Sequence, residues 1–278
     1  MAVPAYATPA QRVWYYAFRV ICAAIFLFLM APILIVIPLS FNSESFFSFP
    51  MPGLSLKWYA EFFNGLQWQL ALKNSTITAV SATVLATVLG TLASLGMSRA
   101  RFRFQTVVLA ILISPLIVPI VIVAVGLYYF FARIGLSGPE WGLVPLILAH
   151  TALGVPFVVI TVTATLVGFD HDLVRAGSSL GANPTRVFFR VTLPLILPGV
   201  ISGALFAFVT SWDEVVVALF LTGTSEHTLP RRMWSGIREL INPTILSVAT
   251  LLITLSVVLM VVMELLRRRS ERLRGIRP

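Results

Sequence analysis

Six long apolar stretches, separated by short polar segments, set the pattern of the chain. They run from about Val20 to Leu39, Ser75 to Leu95, Val107 to Phe131, Leu143 to Val167, Leu195 to Leu221 and Thr244 to Met263. Crossing a bilayer as a helix takes about 20 apolar residues, and each stretch reaches that length. The third exceeds it, which leaves room for tilt or for an interfacial turn. The pattern predicts an all-α, polytopic membrane protein with six transmembrane helices in a single domain over residues 1–278. The first stretch is longer than a signal-peptide core, and no small-x-small cleavage site follows it, so it reads as an uncleaved anchor.

Two connecting segments stand out. Phe41 to Lys73 contains Ser55-Leu56-Lys57-Trp58-Tyr59-Ala60-Glu61-Phe62-Phe63. Its aromatics suit a short helix at headgroup level, where Trp and Tyr concentrate, read as an interfacial anchor ahead of a partner-docking helix. Gly168 to Pro198 is richer in caps and turns. Asp170 and Asp172 are N-cap candidates for a helix over about Leu173 to Leu180. Gly181 is placed as its C′ residue, and Asn183-Pro184 restarts a helix with Asn as cap and Pro at the first position. Val187, Phe188 and Val191 then share one face, with Arg186 and Arg190 on another. Pro194 and Pro198 mark the return to the membrane. The product is a compact helix–Gly–helix knob, more ordered than a plain connector needs.

Composition reinforces the membrane reading. Hydrophobic types make up 58% of the 278 residues and mean hydropathy is +0.93. Charged residues are 11%, against about 25% for soluble domains. One cysteine and three scattered histidines exclude a disulfide scaffold and leave no recognisable zinc spacing. The net charge of +9 has a membrane explanation, so nucleic acid is not the expected partner. With the N-terminus inside, the basic residues of the inner segments are Arg12 and Arg19; Arg99, Arg101 and Arg103; Arg175, Arg186 and Arg190; and six more from Arg267 to Arg277. The outer segments hold only Lys57, Lys73, Arg133, Arg231, Arg232 and Arg238. The positive-inside rule therefore puts both termini in the cytoplasm. The N-terminal tail is then about 1–19, the knob about 168–194 and the C-terminal tail about 264–278.

Enzyme chemistry is missing. No Gly-Lys dipeptide occurs, so no Walker A loop exists. His150 and His227 have no metal-ligand or triad partner at a recognisable spacing. Thr83, Thr87, Gly90 and Thr91 read as close helix packing rather than solute ligands. Pro115, Pro119, Pro145 and Pro156 lie in the third and fourth spans and read either as gating hinges or as fixed bends.

The knob resembles the cytoplasmic EAA loop of ABC-importer permeases. In that pattern E-A-A is followed by three residues, Gly, about nine residues and an aliphatic-x-x-Pro close. Here Ala176, Gly181 and Pro194 match at the right spacing, within Leu180-Gly181-Ala182 and Val191-Thr192-Leu193-Pro194. The usual Glu is Arg175 and the second Ala is Gly177, which reverses the charge at the first of these positions. Ser40-Phe41-Asn42-Ser43, Leu54-Ser55-Leu56-Lys57-Trp58-Tyr59 and Ala71-Leu72-Lys73-Asn74-Ser75 resemble permeases of the spermidine/putrescine type. So do Ser211-Trp212-Asp213-Glu214-Val215, Thr228-Leu229-Pro230 and Asn242-Pro243-Thr244.

The resemblance implies a type I ABC-importer permease subunit in the bacterial inner membrane. It implies a second, homologous permease, an ATPase dimer docked on the knob and an extracytoplasmic solute-binding protein. ATP and Mg would be bound by the ATPase, with no cofactor and no metal on this chain. The implied solute is a polyamine such as putrescine or spermidine; the alternatives are another small nitrogen-containing or opine-like solute. A self-contained secondary transporter or channel is the rival class, but it calls for paired broken helices in inverted repeats.

Asp213 and Glu214 are the only charges well inside a predicted span, where each costs about 2.5–3.5 kcal/mol on insertion scales. They would persist only against a cavity, a partner or water. Adjacent helix positions point about 100° apart, so one faces the path and the other an interface. Two roles are open for the pair: attraction of a cationic solute, or a polar clamp. Trp212 reads equally as an aromatic wall of the path and as an interface anchor.

Overall fold

The computed structural model describes residues 8–46, 48, 50–99, 103–223, 225–239 and 242–273. Within them lie twelve α-helices and a single isolated β-bridge, Asn42 to Leu54. Arg101, Arg274 and Arg277, which entered the charge count, lie outside the described residues. Two compact units form: Met1–Phe63 with Leu240–Ile253, and Asn64–Glu239 with Thr254–Pro278.

Five helices are long and apolar enough to cross a membrane: Pro9–Leu39, Leu66–Ser98, Val144–Val167, Pro184–Asp213 and Thr244–Val262. A bent pair, Gln105–Ile117 and Ile120–Arg133, with 108° between its halves, together has the length and apolarity of a sixth. Each predicted span has a counterpart among these helices, and the third corresponds to the bent pair. Pro119 explains the break. It has no N–H to continue the helix and holds Val118 in an extended conformation, at φ −70° and ψ 133°.

In the first unit, α1 (Pro9–Leu39) starts eleven residues before the predicted span, with a reciprocal Thr8–Gln11 capping box. Arg12 and Arg19 are therefore on a helix. None of its residues is buried. The short helix expected in the first long loop forms as α2 (Lys57–Asn64). Its Trp58 indole donates to the Asn42 carbonyl at 2.7 Å, and the Tyr59 hydroxyl meets Ser40 Oγ at 2.7 Å. Asn242 caps the start of the last helix through Thr244 N and donates to Glu61 Oε1 at 2.9 Å. Motifs that resemble the polyamine permeases therefore tie to one another within this unit.

The second unit is built on α3 (Leu66–Arg99), α4 (Gln105–Ile117), α5 (Ile120–Arg133) and α6 (Val144–Val167). It continues through α7 (Asp172–Ser179), α8 (Pro184–Val187), α9 (Leu193–Asp213), α10 (Val216–Leu221) and α11 (Leu229–Glu239). The last helix, α12 (Thr244–Leu273), is shared between the units. Because α3 begins at Leu66, Lys73 sits on a helix and the preceding loop is shorter than the sequence suggested.

The core lies where α3, α6 and α9 pack together. Ala86, Val158, Val162, Ile196 and Ala207 are essentially sealed there. Apolar burial gains little against lipid, so close backbone contact and dispersion hold such helices together. Glycines make the contact possible. A methyl group at Gly203 would sit 2.7 Å from Val158 Cα, and one at Gly90 2.7 Å from Val158 Cβ. The packing role expected of Gly90 is what the geometry assigns it.

Candidate functional site: a helix break and a capped knob

The fifth span ends where the acidic pair begins. Helix α9 stops at Asp213, Glu214 is extended at φ −72° and ψ 126°, and α10 restarts at Val216. The unbroken helix from Leu195 to Leu221 expected from hydropathy is thus corrected, and the pair sits at a break. Glu214 supplies the physical reason. Its carboxylate accepts from Val217 N at 2.9 Å through both oxygens and from Ala218 N at 3.2 Å. It caps the first turn of α10, where unpaired amides and the helix dipole favour a negative group.

The two acids take opposite environments. Glu214 is 6% exposed, whereas Asp213 is exposed. Trp212 is buried, stacked on Phe208 at 5.5 Å and 18°. Its indole Nε1 is buried without an acceptor among the described residues.

Helix α6 reaches this break through His150, which is 1% exposed. Its Nδ1 lies 2.7 Å from Ser211 Oγ and its Nε2 3.4 Å from Glu214 Oε2. Sequence spacing gives this histidine no partners, since they lie more than 60 residues away. The Ser–His–carboxylate set has the composition of a hydrolytic triad, yet Ser211 is buried and Glu214 is already engaged by three amide contacts. The arrangement therefore fastens helices together.

At the base of this unit the knob takes shape. Helix α7 begins one residue before the expected start, and His171 rather than an aspartate occupies its N-cap. Asp170 Oδ1 instead accepts from Asp172 N at 2.9 Å, and Asp172 pairs with Arg175 at 3.2 Å, both side chains exposed. The C-terminus is a Schellman motif. Gly181 has φ +78°, its N–H donates to Ser178 O at 3.0 Å, and Ala182 N donates to Gly177 O at 3.2 Å. Asn183 then caps α8 by accepting from Arg186 N at 2.8 Å, with Pro184 at the first position.

At Pro194 and Pro198, expected to mark the return to the membrane, the chain does not leave the helix. It forms a continuous helix from Pro184 to Asp213 with a π-helical turn at Phe188–Thr192. Pro194 lacks the N–H that an α-helix would offer residue 190, and the wider turn just before it accommodates that loss. Gly177 lets α7 approach α8: a methyl there would lie 3.3 Å from Val187 Cγ2. Leu180, at the tip, is 88% exposed and Ala176 is also exposed.

A third cluster ties α3 to the segment before α11. Asn74 Nδ2 donates to the carbonyls of Ser225 and His227, both at 3.2 Å, and Leu229 N donates to Ser75 Oγ at 2.7 Å. Arg231 bonds Thr222 and the Gly223 carbonyl. Burial pushes its guanidinium below the ordinary arginine value, and Glu226 opposes that shift.

Helices long and apolar enough to cross a membrane, a break at Glu214 and a glycine-closed, capped knob are the features set against known proteins. The family model described as "Binding-protein-dependent transport system inner membrane component" matches residues 86–272, and the chain belongs to that family. It is a multi-pass inner-membrane transport component and not itself an enzyme. The chain is 34% identical over 247 residues to the spermidine/putrescine transport system permease protein PotC of Haemophilus influenzae, covering 89% of this chain and 95% of that protein. It is 33% identical over 232 residues to the putrescine transport system permease protein PotI of Escherichia coli, covering 82% of each. Its fold matches, at TM-score 0.71 and 17% identity, a chain of a bacterial ABC transporter involved in the import of the acidic polysaccharide alginate. That match covers 94% of this chain and 96% of the other.

Proposed function

We propose that this chain forms part of the translocation path for a polyamine such as putrescine or spermidine. The observation that carries the reading is the likeness to PotC along nearly the whole chain. The exposed Asp213 supports it. A carboxylate at the end of a membrane-spanning helix is costly unless it faces a watery path or a partner, and it would attract an organic cation there. Fold alone does not choose the solute, since a transporter of an acidic polysaccharide shares it. Glu214 serves this reading indirectly, as the clamp that leaves Asp213 as the presented charge, with Trp212 walling the break.

The assembly would comprise a second, homologous permease, two copies of an ATPase that bind ATP and Mg, and an extracytoplasmic solute-binding protein. Both termini would lie in the cytoplasm, with the knob on the same side. The knob surface around Arg175, Ala176, Leu180, Gly181 and Ala182 is the docking site for the ATPase, and Pro194 lies where the knob helix runs on into the span. Closure of the ATPase pair on ATP would push α7 and tip the helices between inward-open and outward-open states, a two-state element biased by a remote site. The tip of the knob supports this role: an 88% exposed Leu180 beside a stiff, glycine-closed turn suits insertion into a partner's cleft.

The experiment is a mild-detergent purification of the tagged chain from its native membrane, with its partners identified by mass spectrometry. An ATPase, a second permease and a binding protein that takes up putrescine or spermidine are the expected companions. Recovery of the chain alone would contradict the assembly. A captured binding protein that ignores both amines would contradict the solute.

A further inference from the structure

Two neighbouring carboxylates on one strand of backbone would ordinarily compete for the same cation. In this fold they are separated: Glu214 is turned inward onto α10, and Asp213 is exposed. Something must hold the break in that shape, because Val215 and Glu214 lie outside regular helix and α10 has only 6 residues. A helix so short has little stability of its own. The side chain that spans the break is His150. One ring nitrogen meets Ser211 in the last turn of α9, at 2.7 Å, and the other lies 3.4 Å from the carboxylate that caps α10.

We infer that His150 is the positioning residue of the translocation path, fixing the α9–α10 break so that Asp213 alone is presented to the cationic solute. This rests on the polyamine reading above. With its hydrogen on Nε2, the imidazole faces the Glu214 carboxylate with a donor and leaves Nδ1 to accept from the Ser211 hydroxyl. The α9 side of the break is then hydrogen-bonded to α6, one of the three core helices, and the Glu214 side lies within ion-pair distance of it, at 3.4 Å. His150 itself is sealed from solvent and does not touch the solute. Its effect passes through the placement of Asp213, and small misplacements of a positioning group are costly to rate.

The test uses the complete transporter in proteoliposomes with saturating loaded binding protein, following uptake of radiolabelled putrescine. His150→Ala is expected to lower the maximal uptake rate about tenfold, with the half-saturating concentration of loaded binding protein unchanged. His150→Gln, whose terminal amide nitrogen falls near the position of Nε2, is expected to recover most of the rate. Asp213→Asn removes the presented charge. In that background the further change His150→Ala is expected to cost nothing more, because a residue that acts only through Asp213 has nothing left to position.

A His150→Ala transporter at the wild-type rate overturns the inference. So does a loss that multiplies with that of Asp213→Asn, which is the signature of a general packing role. Absence of amine uptake by the wild-type complex overturns the polyamine reading, and this inference with it. Wild-type uptake with an unimpaired His150→Ala overturns the inference alone.

Discussion

Glu214 offers the sharpest separation between a clamp and a solute ligand. Its carboxylate takes three amide contacts from Val217 and Ala218 and faces His150, all in a site 6% exposed. Replacement by Ala removes the side chain that caps the first turn of α10 from the position before its N-cap, Val215, an effect of about 0.5–2 kcal/mol. It also leaves buried N–H groups unpaired, at about 1–3 kcal/mol for each group that water cannot reach. The cap consists of these same contacts, so the two unpaired amides set the cost at about 2–6 kcal/mol. Glu214→Gln keeps one acceptor oxygen in place and should cost about 1 kcal/mol. The assay is thermal unfolding of the detergent-purified complex, read beside amine uptake. Glu214→Ala should lower the melting temperature by several degrees and reduce uptake in step with the loss of folded complex. Glu214→Gln should stay near wild type in both. If Glu214→Gln abolished uptake while melting normally, Glu214 would be a solute ligand and the clamp reasoning would fail.

Three further outcomes follow from the knob and the core. Leu180→Asp should leave the chain's own melting unchanged, since Leu180 is 88% exposed, but should weaken recovery of the ATPase in a pull-down; undiminished recovery would remove Leu180 from the docking surface. Gly181→Asp forces a side chain onto φ +78°, at a cost of about 1 kcal/mol. Uptake should fall while membrane insertion, checked by fractionation, is kept; full uptake by a well-expressed variant would refute the coupling role. Gly203→Ala places a methyl 2.7 Å from Val158 Cα, and overpacking of this kind costs about 1–3 kcal/mol, so the melting temperature should drop, whereas an unchanged value would mean that α6 and α9 yield without penalty.

Much of this architecture could be read from hydropathy and capping residues alone. The spans follow from apolar length, and Gly181, Asn183 and Pro184 fall where their capping chemistry requires. What pattern could not supply was the state of the fifth span. Leu195 to Leu221 is apolar enough to be one helix, and only the folding-back of Glu214 onto the amides of Val217 and Ala218 breaks it. The π-helical turn at Phe188–Thr192 was likewise hidden, because Pro194 reads as a stop in water but is tolerated within a membrane helix. His150 was the clearest omission. Its partners are remote in sequence, so no spacing rule reaches them; a buried histidine in an apolar run, set against an acidic pair in another span, was the only available signal. Asp170 and Asp172 show the reverse error, where good caps by type yielded the cap position to His171 and served the turn and the ion pair with Arg175 instead.

The most direct test of the central claim is uptake of radiolabelled putrescine and spermidine by the purified assembly in proteoliposomes, with and without ATP. The account predicts accumulation of amine only when ATP and loaded binding protein are both present, and a loss of about tenfold on Asp213→Asn. Accumulation without ATP, or none with it, would contradict the account.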